Sequence, residues 1–225
     1  MSDVTELELV IFDLAGTTVE DRGEVPAAFT AALAEHGVVV TREQINGVRG
    51  ASKRQAILHF IPSGLEQERL AEETYASFRE KLTQRYSSEG VRAIPGAAAV
   101  FGLLRERGIR IALNTGFDRE TTELLLGALG WVDGIVDAVV CGNDVTEGRP
   151  APYLIFRAME AAGATDVHAV ASVGDTTLDL QAGYNAGVRW NVGVLSGAHD
   201  RQRLESVPHT HLVPSVAELP GLWIA

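Results

Sequence analysis

The chain has 225 residues, a formal net charge of −11 at pH 7 and an apolar fraction of 46%. A chain of this length buries enough surface for one α/β domain with a modest insert. The acidic balance argues against a nucleic-acid partner, and no apolar run reaches the roughly 20 residues of a membrane span. The acidic, polar N-terminus is unlike a signal peptide, and Cys141 is the single cysteine, so we expect a cytoplasmic protein without an internal disulfide.

The first predicted element is a buried strand at residues 7–12, which leads directly into Asp13 and a tight loop. The pattern that follows is helical, with helices predicted at 27–36 and 64–85 and capping boxes at Thr41–Gln44 and Ser52–Gln55. Because this region has no strand signals, we interpret residues 21–91 as a helical cap inserted after the first strand. Residues 1–20 and 92–225 then form the core domain.

Strands and helices alternate in the second part of the chain. Helices are predicted at 95–107, 119–129, 153–162 and 178–186, and strands at 109–113, 138–141, 168–173 and 190–195, with a short strand near 211–213. Such alternation is typical of a doubly wound parallel sheet. The predicted fold class is therefore α/β, a Rossmann-like core with a helical cap.

Two of the predicted strands end in acidic residues. Asp13 follows the first strand, and Asp175 follows the strand at 168–173, with Asp179 four residues further on. The carboxyl ends of parallel strands meet at one edge of a sheet, where ligands bind in open α/β folds. Hard oxygen ligands of this kind suit Mg²⁺. The sequence therefore predicts a carboxylate cluster that holds this metal.

Four short stretches stand in an order that resembles the haloacid dehalogenase superfamily. They are 13–17 (DLAGT), 114–116 (NTG), 148–150 (GRP) and 173–179 (VGDTTLD). At two positions the sequence departs from the general pattern of the superfamily, and in both it resembles one branch, phosphonoacetaldehyde hydrolase and its phosphonatase-like relatives. Ala15 replaces the aspartate that serves phosphatases as a general acid, and Arg149 replaces the usual lysine.

The resemblance implies a role for each motif residue. Asp13 is the nucleophile that forms an aspartyl phosphate, and Asp179 supports the shell of the metal by hydrogen bonding. Mg²⁺ is held by Asp13, the backbone carbonyl of Ala15 and Asp175. The phosphoryl oxygens are bound by Thr115, Gly116 and Arg149. The implied substrate is a small anionic phosphonate or phosphate, and the relatives suggest a homodimer that pairs through the cap.

Lys53 is the catalytic residue that the resemblance implies for the cap, since residues 50–53 (GASK) resemble the Gly-x-x-Lys motif of phosphonoacetaldehyde hydrolases. A lysine that condenses with an aldehyde must be neutral when it attacks. Ser52 is a good N-cap, so Lys53 is expected in the first turn of a helix, where the helix dipole opposes its charge. The neighbouring Arg49 and Arg54 act in the same direction and lower the lysine pKa.

The cap also departs from that motif. In the motif that this stretch resembles, a methionine occupies the position of Arg49. A histidine that is thought to assist imine formation occupies the position of Ala56. His59, one helical turn beyond Ala56, is a candidate replacement, although a packed or surface histidine is the more frequent role. The carbon end of the substrate is not fixed by the sequence, because the cap selects it.

Three alternatives stay open at this point. A phosphatase of a small phosphate ester is disfavoured by Ala15. A hydrolytic dehalogenase needs no metal and is disfavoured by the presence of both Asp175 and Asp179. A non-catalytic relative that binds or senses a phosphonate is left open by Arg49 and Ala56.

Overall fold

The computed structural model describes residues 7–132 and 134–223. The strands are β1 Leu9–Asp13, β2 Arg110–Asn114, β3 Ala138–Val140, β4 Val170–Gly174, β5 Trp190–Val194 and β6 His211–Val213. They form one parallel sheet in the order β3-β2-β1-β4-β5-β6, which confirms the predicted doubly wound α/β fold.

The central strand β1 is buried along its whole length because helices cover both faces of the sheet. Its residues alternate between two apolar clusters. Val10 and Phe12 belong to one cluster, in which Phe12 packs edge-on against Phe101 with ring centroids 5.3 Å apart. Leu9 and Ile11 belong to the cluster on the other face. An uninterrupted apolar run therefore makes this strand, and only its last residue is acidic.

The helices alternate with the strands, apart from a group of four that precedes β2. Their bounds are α1 Glu24–Glu35, α2 Arg42–Gly47, α3 Lys53–Phe60, α4 Gln67–Glu89, α5 Ala97–Glu106, α6 Arg119–Leu129, α7 Tyr153–Ala162, α8 Thr177–Ala186, α9 Arg201–Leu204 and α10 Pro220–Trp223. Within the described ranges, no helix is both long enough and apolar enough to span a bilayer.

The four helices α1–α4 pack around a further apolar cluster, which also includes Phe117 and Leu125 of the core. In it, Phe29 of α1 meets Phe78 of α4 at 5.7 Å between ring centroids. The two connections to the sheet run beside each other. The Glu20 amide donates to the Arg92 carbonyl at 2.9 Å, and the Ile94 amide donates to the Thr18 carbonyl at 2.8 Å. This arrangement is the basis on which we propose residues 21–91 as a cap.

Two local predictions are wrong. Ser52 precedes α3 but makes no side-chain cap, because Gln55, the expected partner, accepts a hydrogen bond from the distant Gly148 amide instead. The strand predicted from residue 168 begins at Val170, since a 3-10 turn capped by Asp166 precedes it. The capping box at Thr41 is confirmed.

The strand order places a switch point beside β1. The chain runs outward through β2 and β3 on one side and through β4, β5 and β6 on the other. At such a point the loops after neighbouring strands separate and leave a crevice. Asp13 pairs in register with Asn114, while Phe12 pairs with Val173 two residues before Asp175, so both acids stand at the edge that the helical insert covers.

Candidate active site

A cavity lies between the carboxyl edge of the sheet and the helical insert. The core contributes Asp13, Asp175, Thr115 and Arg149 to its wall, and the insert contributes Arg49 and Lys53. The structure thus brings both carboxylates of the sheet edge and the lysine of the insert into one cavity.

Asp13 is held at the end of β1 with 6% of its surface exposed. Its Oδ1 accepts a hydrogen bond from Arg149 Nη1 at 2.8 Å, and its backbone carbonyl accepts one from the Thr18 hydroxyl at 2.9 Å. Burial raises the pKa of Asp13 to about 6, although the adjacent Arg149 opposes the shift and Asp179 adds to it. One oxygen is therefore fixed by a cation, while the carboxylate as a whole is poorly solvated.

Asp175 is fixed on both oxygens by the loops around it. Oδ1 accepts from the Thr17 hydroxyl at 3.2 Å, and Oδ2 accepts from the Ala198 amide at 2.6 Å. Burial, together with the charges of Asp13 and Asp179, raises its pKa to about 8. A buried acid whose pKa is raised by neighbouring carboxylates forms a site that a cation would stabilise.

Glycines make room for the Asp175 carboxylate. A Cβ at Gly16 would lie 2.3 Å from Asp175 Oδ2, and a Cβ at Gly197 would lie 2.0 Å from the same atom. Gly16 also has φ +93°, a conformation that favours glycine. The carboxylate is therefore confined by two loops that approach it as main chain.

Arg149 connects the acids to one another and to the insert. Its Nη1 lies 2.8 Å from Asp13 and 2.9 Å from Asp179, and it donates to the Gly50 carbonyl at 3.2 Å. Its Nη2 donates to the Asn114 carbonyl at 3.0 Å. Asp179 also accepts from the Thr176 amide at 3.0 Å at the start of α8, so it contacts the arginine from a rigid position.

The donor set fits a divalent cation with few protein ligands. The described residues contain no cluster of three or more His, Cys, Asp or Glu that could hold a metal ion. Two carboxylates, Asp13 and Asp175, line the cavity together with Ala15, and no group in the described ranges donates a hydrogen bond to the Ala15 carbonyl. Mg²⁺ is commonly bound by one or two carboxylates and completes its shell with water.

Lys53 stands at the start of α3 and is only 8% exposed. Its Nζ donates to the Ala51 carbonyl at 3.0 Å and lies 5.4 Å from the centroid of the Phe117 ring. Burial and the charge of Arg49 lower its pKa to about 8, although Asp13 opposes the shift. The neutral amine is therefore more accessible than that of a solvated lysine.

Thr115 and Gly116 follow β2 at the same edge. The Thr115 hydroxyl accepts from the Phe117 amide at 3.2 Å, so it is oriented locally. The Lys53 amide donates to the Gly116 carbonyl at 3.2 Å, and a Cβ at Gly116 would lie 2.3 Å from the Ala51 carbonyl oxygen. The two residues thus form the seam between core and insert as well as part of the cavity wall.

Gln55 fastens the helix of Lys53 to the loop of Arg149. Its Oε1 accepts from the Gly148 amide at 3.2 Å, and its Nε2 donates to the Thr146 carbonyl at 3.4 Å. No local sequence pattern predicts this contact, because Gln55 and its partners lie more than 90 positions apart.

The sequence also did not identify Asp21 as a cavity residue. Its carboxylate pairs with Arg49, and both side chains line the cavity. The sequence identifies Arg49 as a departure from the family motif and as a charge beside Lys53, but not as the partner of Asp21. His59 is exposed and packs edge-on against Phe60, so it does not replace the absent histidine, and Ala56 is buried in the apolar cluster of the insert.

Comparison with known proteins assigns the family. The model of the haloacid dehalogenase-like hydrolase family matches residues 10–192, and the chain belongs to this family. A phosphonoacetaldehyde hydrolase from Bacteroides fragilis is 31% identical over 226 residues, which cover 95% of this chain and 84% of that protein. One from Bacillus cereus is 32% identical over 211 residues, covering 87% and 78%.

Solved structures agree on the fold. The phosphonoacetaldehyde hydrolase-like protein from Oleispira antarctica has a TM-score of 0.84 at 24% identity, over 96% of this chain and 91% of that chain. At this identity the match bears on the fold alone. Together with the family match, the sequence relatives make the protein a hydrolase and confirm the resemblance to the phosphonatase branch.

Proposed function

We propose that this protein is a Mg²⁺-dependent hydrolase that cleaves the carbon–phosphorus bond of phosphonoacetaldehyde or a related small phosphonate. The observation that carries the proposal is the burial of Lys53 in the same cavity as Asp13. A lysine desolvated in this way serves as a nucleophile toward a carbonyl group. The similarity to phosphonoacetaldehyde hydrolases supports the same substrate class.

Lys53 supplies the route for the electrons of the breaking bond. The neutral amine condenses with the carbonyl next to the phosphonate carbon, releases water and forms an iminium. When the carbon–phosphorus bond breaks, its electron pair moves into the iminium and gives an enamine. Protonation and hydrolysis of the enamine then release the aldehyde and restore the amine. Without this acceptor, the leaving group would be an unstabilised carbanion.

Asp13 receives the phosphoryl group as an aspartyl phosphate, which water hydrolyses. Arg149 offers positive charge beside the attacking oxygen, and Thr115 and Gly116 stand at the same edge to bind phosphoryl oxygens. No alcohol leaves in this reaction, so Ala15 is compatible with it. In an ester phosphatase, the missing aspartate would remove general acid catalysis of about 10²–10⁴-fold.

Asp13, Asp175 and the carbonyl of Ala15 would hold Mg²⁺, which would supply positive charge against the phosphonate oxygens. With Mg²⁺ bound, its positive charge would offset the repulsion between the two carboxylates. Thr17, Ala198 and the glycines at positions 16 and 197 keep Asp175 in place for this role.

The test is phosphate release from phosphonoacetaldehyde, combined with trapping of the imine by borohydride. The chain has two lysines, Lys53 in the cavity and Lys81 in an ion pair with Glu35 on the insert surface. We expect mass mapping to find the reduced adduct on Lys53, in wild type and in the Lys81→Arg control. The Lys53→Met variant should lose both the adduct and phosphate release.

Other results would contradict the proposal. Phosphate release from esters that survives Lys53→Met, with no adduct, would favour the phosphatase alternative. Binding of phosphonoacetaldehyde without turnover in the presence of Mg²⁺ would favour a sensing protein.

A further inference from the structure

Arg49 is a cation in the cavity wall that the proposed reaction does not use. It lines the same space as Lys53 and Asp13, and its charge acts on both Lys53 and Asp175. A second guanidinium this close to the reacting lysine is unexpected for a substrate whose carbon end is an uncharged aldehyde.

The contacts of Arg49 leave most of its donors free for a ligand. One Nη2 hydrogen bond goes to Asp21, and the rest of the described residues accept no other bond from this side chain. Asp21 itself is almost fully buried, and its Oδ1 accepts from the Gly23 amide at 3.1 Å and the Val25 amide at 3.2 Å. Asp21 is therefore a fixed support that orients one edge of the guanidinium.

The position of Arg49 corresponds to the carbon end of a bound substrate. The phosphoryl group must lie at the sheet edge, near Asp13 and Arg149, while the carbonyl must reach Lys53 on the insert. Arg49 precedes Lys53 by four residues on the insert and, with Asp21, lines the part of the cavity that the insert forms. A guanidinium with a free edge there matches the geometry of a carboxylate.

We propose that Arg49 binds a carboxylate attached to the carbonyl carbon, so that the preferred substrates are 3-phosphono-2-oxo carboxylates. This inference rests on the proposed function. Lys53 condenses with the 2-oxo group and releases water, the carbon–phosphorus electron pair moves into the iminium, and the phosphoryl group passes to Asp13. Protonation of the enamine and hydrolysis of both intermediates give a 2-oxo acid and phosphate, with one water consumed overall.

The experiment compares 3-phosphonopyruvate with phosphonoacetaldehyde, which differ by the carboxylate. We expect wild type to show the higher kcat/KM for 3-phosphonopyruvate. In Arg49→Met, the ratio of the two kcat/KM values should fall by about 10- to 100-fold, the size of a lost charge-assisted contact. Because any change in Lys53 acts on both substrates alike, the ratio isolates the carboxylate contact.

A matched double variant protects the test from misfolding. Arg49→Met alone leaves a buried, unpaired Asp21, so the variant Asp21→Asn/Arg49→Met removes both charges and keeps an oxygen for the two amides. Arg49→Lys keeps the charge without the two-pronged geometry and should lie between wild type and the double variant.

The outcomes separate the two levels of the proposal. A substrate ratio that is unchanged in the double variant, with phosphonoacetaldehyde cleaved through a Lys53 adduct, overturns the role of Arg49 and leaves the proposed function standing. Absence of phosphate release and of a Lys53 adduct with both compounds overturns the proposed function and this inference with it.

Discussion

The two walls of the cavity are built differently. On the core side, Arg149 holds the Asp13 carboxylate, and Asp175 and Arg149 each have two or more fixed partners. On the insert side, Lys53 and Arg49 project from one short segment among apolar side chains, and each makes one side-chain hydrogen bond within the described ranges. In the proposed reaction, the core wall carries the phosphoryl chemistry and the insert wall selects the carbon end of the substrate.

The largest expected effect comes from a variant that separates the role of the core wall from the role of the insert wall. Asp13→Asn should reduce phosphate release by about 10⁴-fold or more, because the nucleophile is lost. Borohydride should still trap the substrate on Lys53, since imine formation belongs to the insert. Phosphate release and adduct formation are measured on the same preparation. Loss of the adduct in this variant would mean that the two walls do not act independently.

A smaller effect is expected where the core confines Asp175. Gly197→Ala places a Cβ 2.0 Å from the carboxylate oxygen, so we expect Mg²⁺ affinity, followed by titration of activity with metal, to fall about 10- to 100-fold. Gly102→Ala in α5 is the matched control, since nothing lies within 4 Å of its Cβ. That control should raise the free energy of unfolding by about 0.5–1 kcal/mol. Equal metal affinity in both variants would contradict the proposed site.

The smallest expected effect is a dependence of the free energy of unfolding on pH, which arises from the acids of the core wall. Relative to the ordinary carboxyl value of 3.8, the pKa of Asp13 is raised to about 6 and that of Asp175 to about 8. Groups shifted in this direction contribute stability that is fully present below about pH 4 and lost as the pH rises through the folded pKa. The metal-free protein should therefore become less stable between about pH 4 and pH 8.

Thermal unfolding with EDTA or with Mg²⁺ checks this expectation. The metal should raise the melting temperature more at pH 8 than at pH 5, because a larger fraction of the two acids is ionised at the higher pH. Asp175→Asn should flatten the decline between about pH 6 and pH 8 and weaken the response to Mg²⁺. An unchanged pH slope in that variant would mean that other groups cause the decline.

The fold was largely predictable because its signals are local. Continuous apolar runs ending in acids identified β1 and β4, and helix caps and glycines bounded most helices. The strand order was not predictable from the pattern, since no local feature of a buried parallel strand specifies its neighbour. The capping box predicted at Ser52 was wrong because Gln55 bonds to Gly148, a tertiary partner that local spacing does not reveal.

The candidate site likewise contains residues that local sequence signals predict and residues that they do not. The core residues of the site lie in short motifs next to the ends of strands, so their proximity was predictable from the sequence. Asp21 and Gln55 act in the site through partners far away in the chain, which no local pattern specifies. Among the cavity residues of the insert, only two were therefore predictable. Lys53 matches the motif of the family that the sequence resembles, and Arg49 departs from it.

The seam between core and insert has a consequence for how this enzyme can change. A Cβ at Gly50 would lie 2.3 Å from the Thr176 hydroxyl, and one at Gly116 would lie 2.3 Å from the Ala51 carbonyl. The insert and the core therefore approach each other along this line with no room for an added methyl group, and a side chain at either glycine would force the two apart. New substrate preferences have to arise from side chains deeper in the pocket, while the rim itself stays closed to variation.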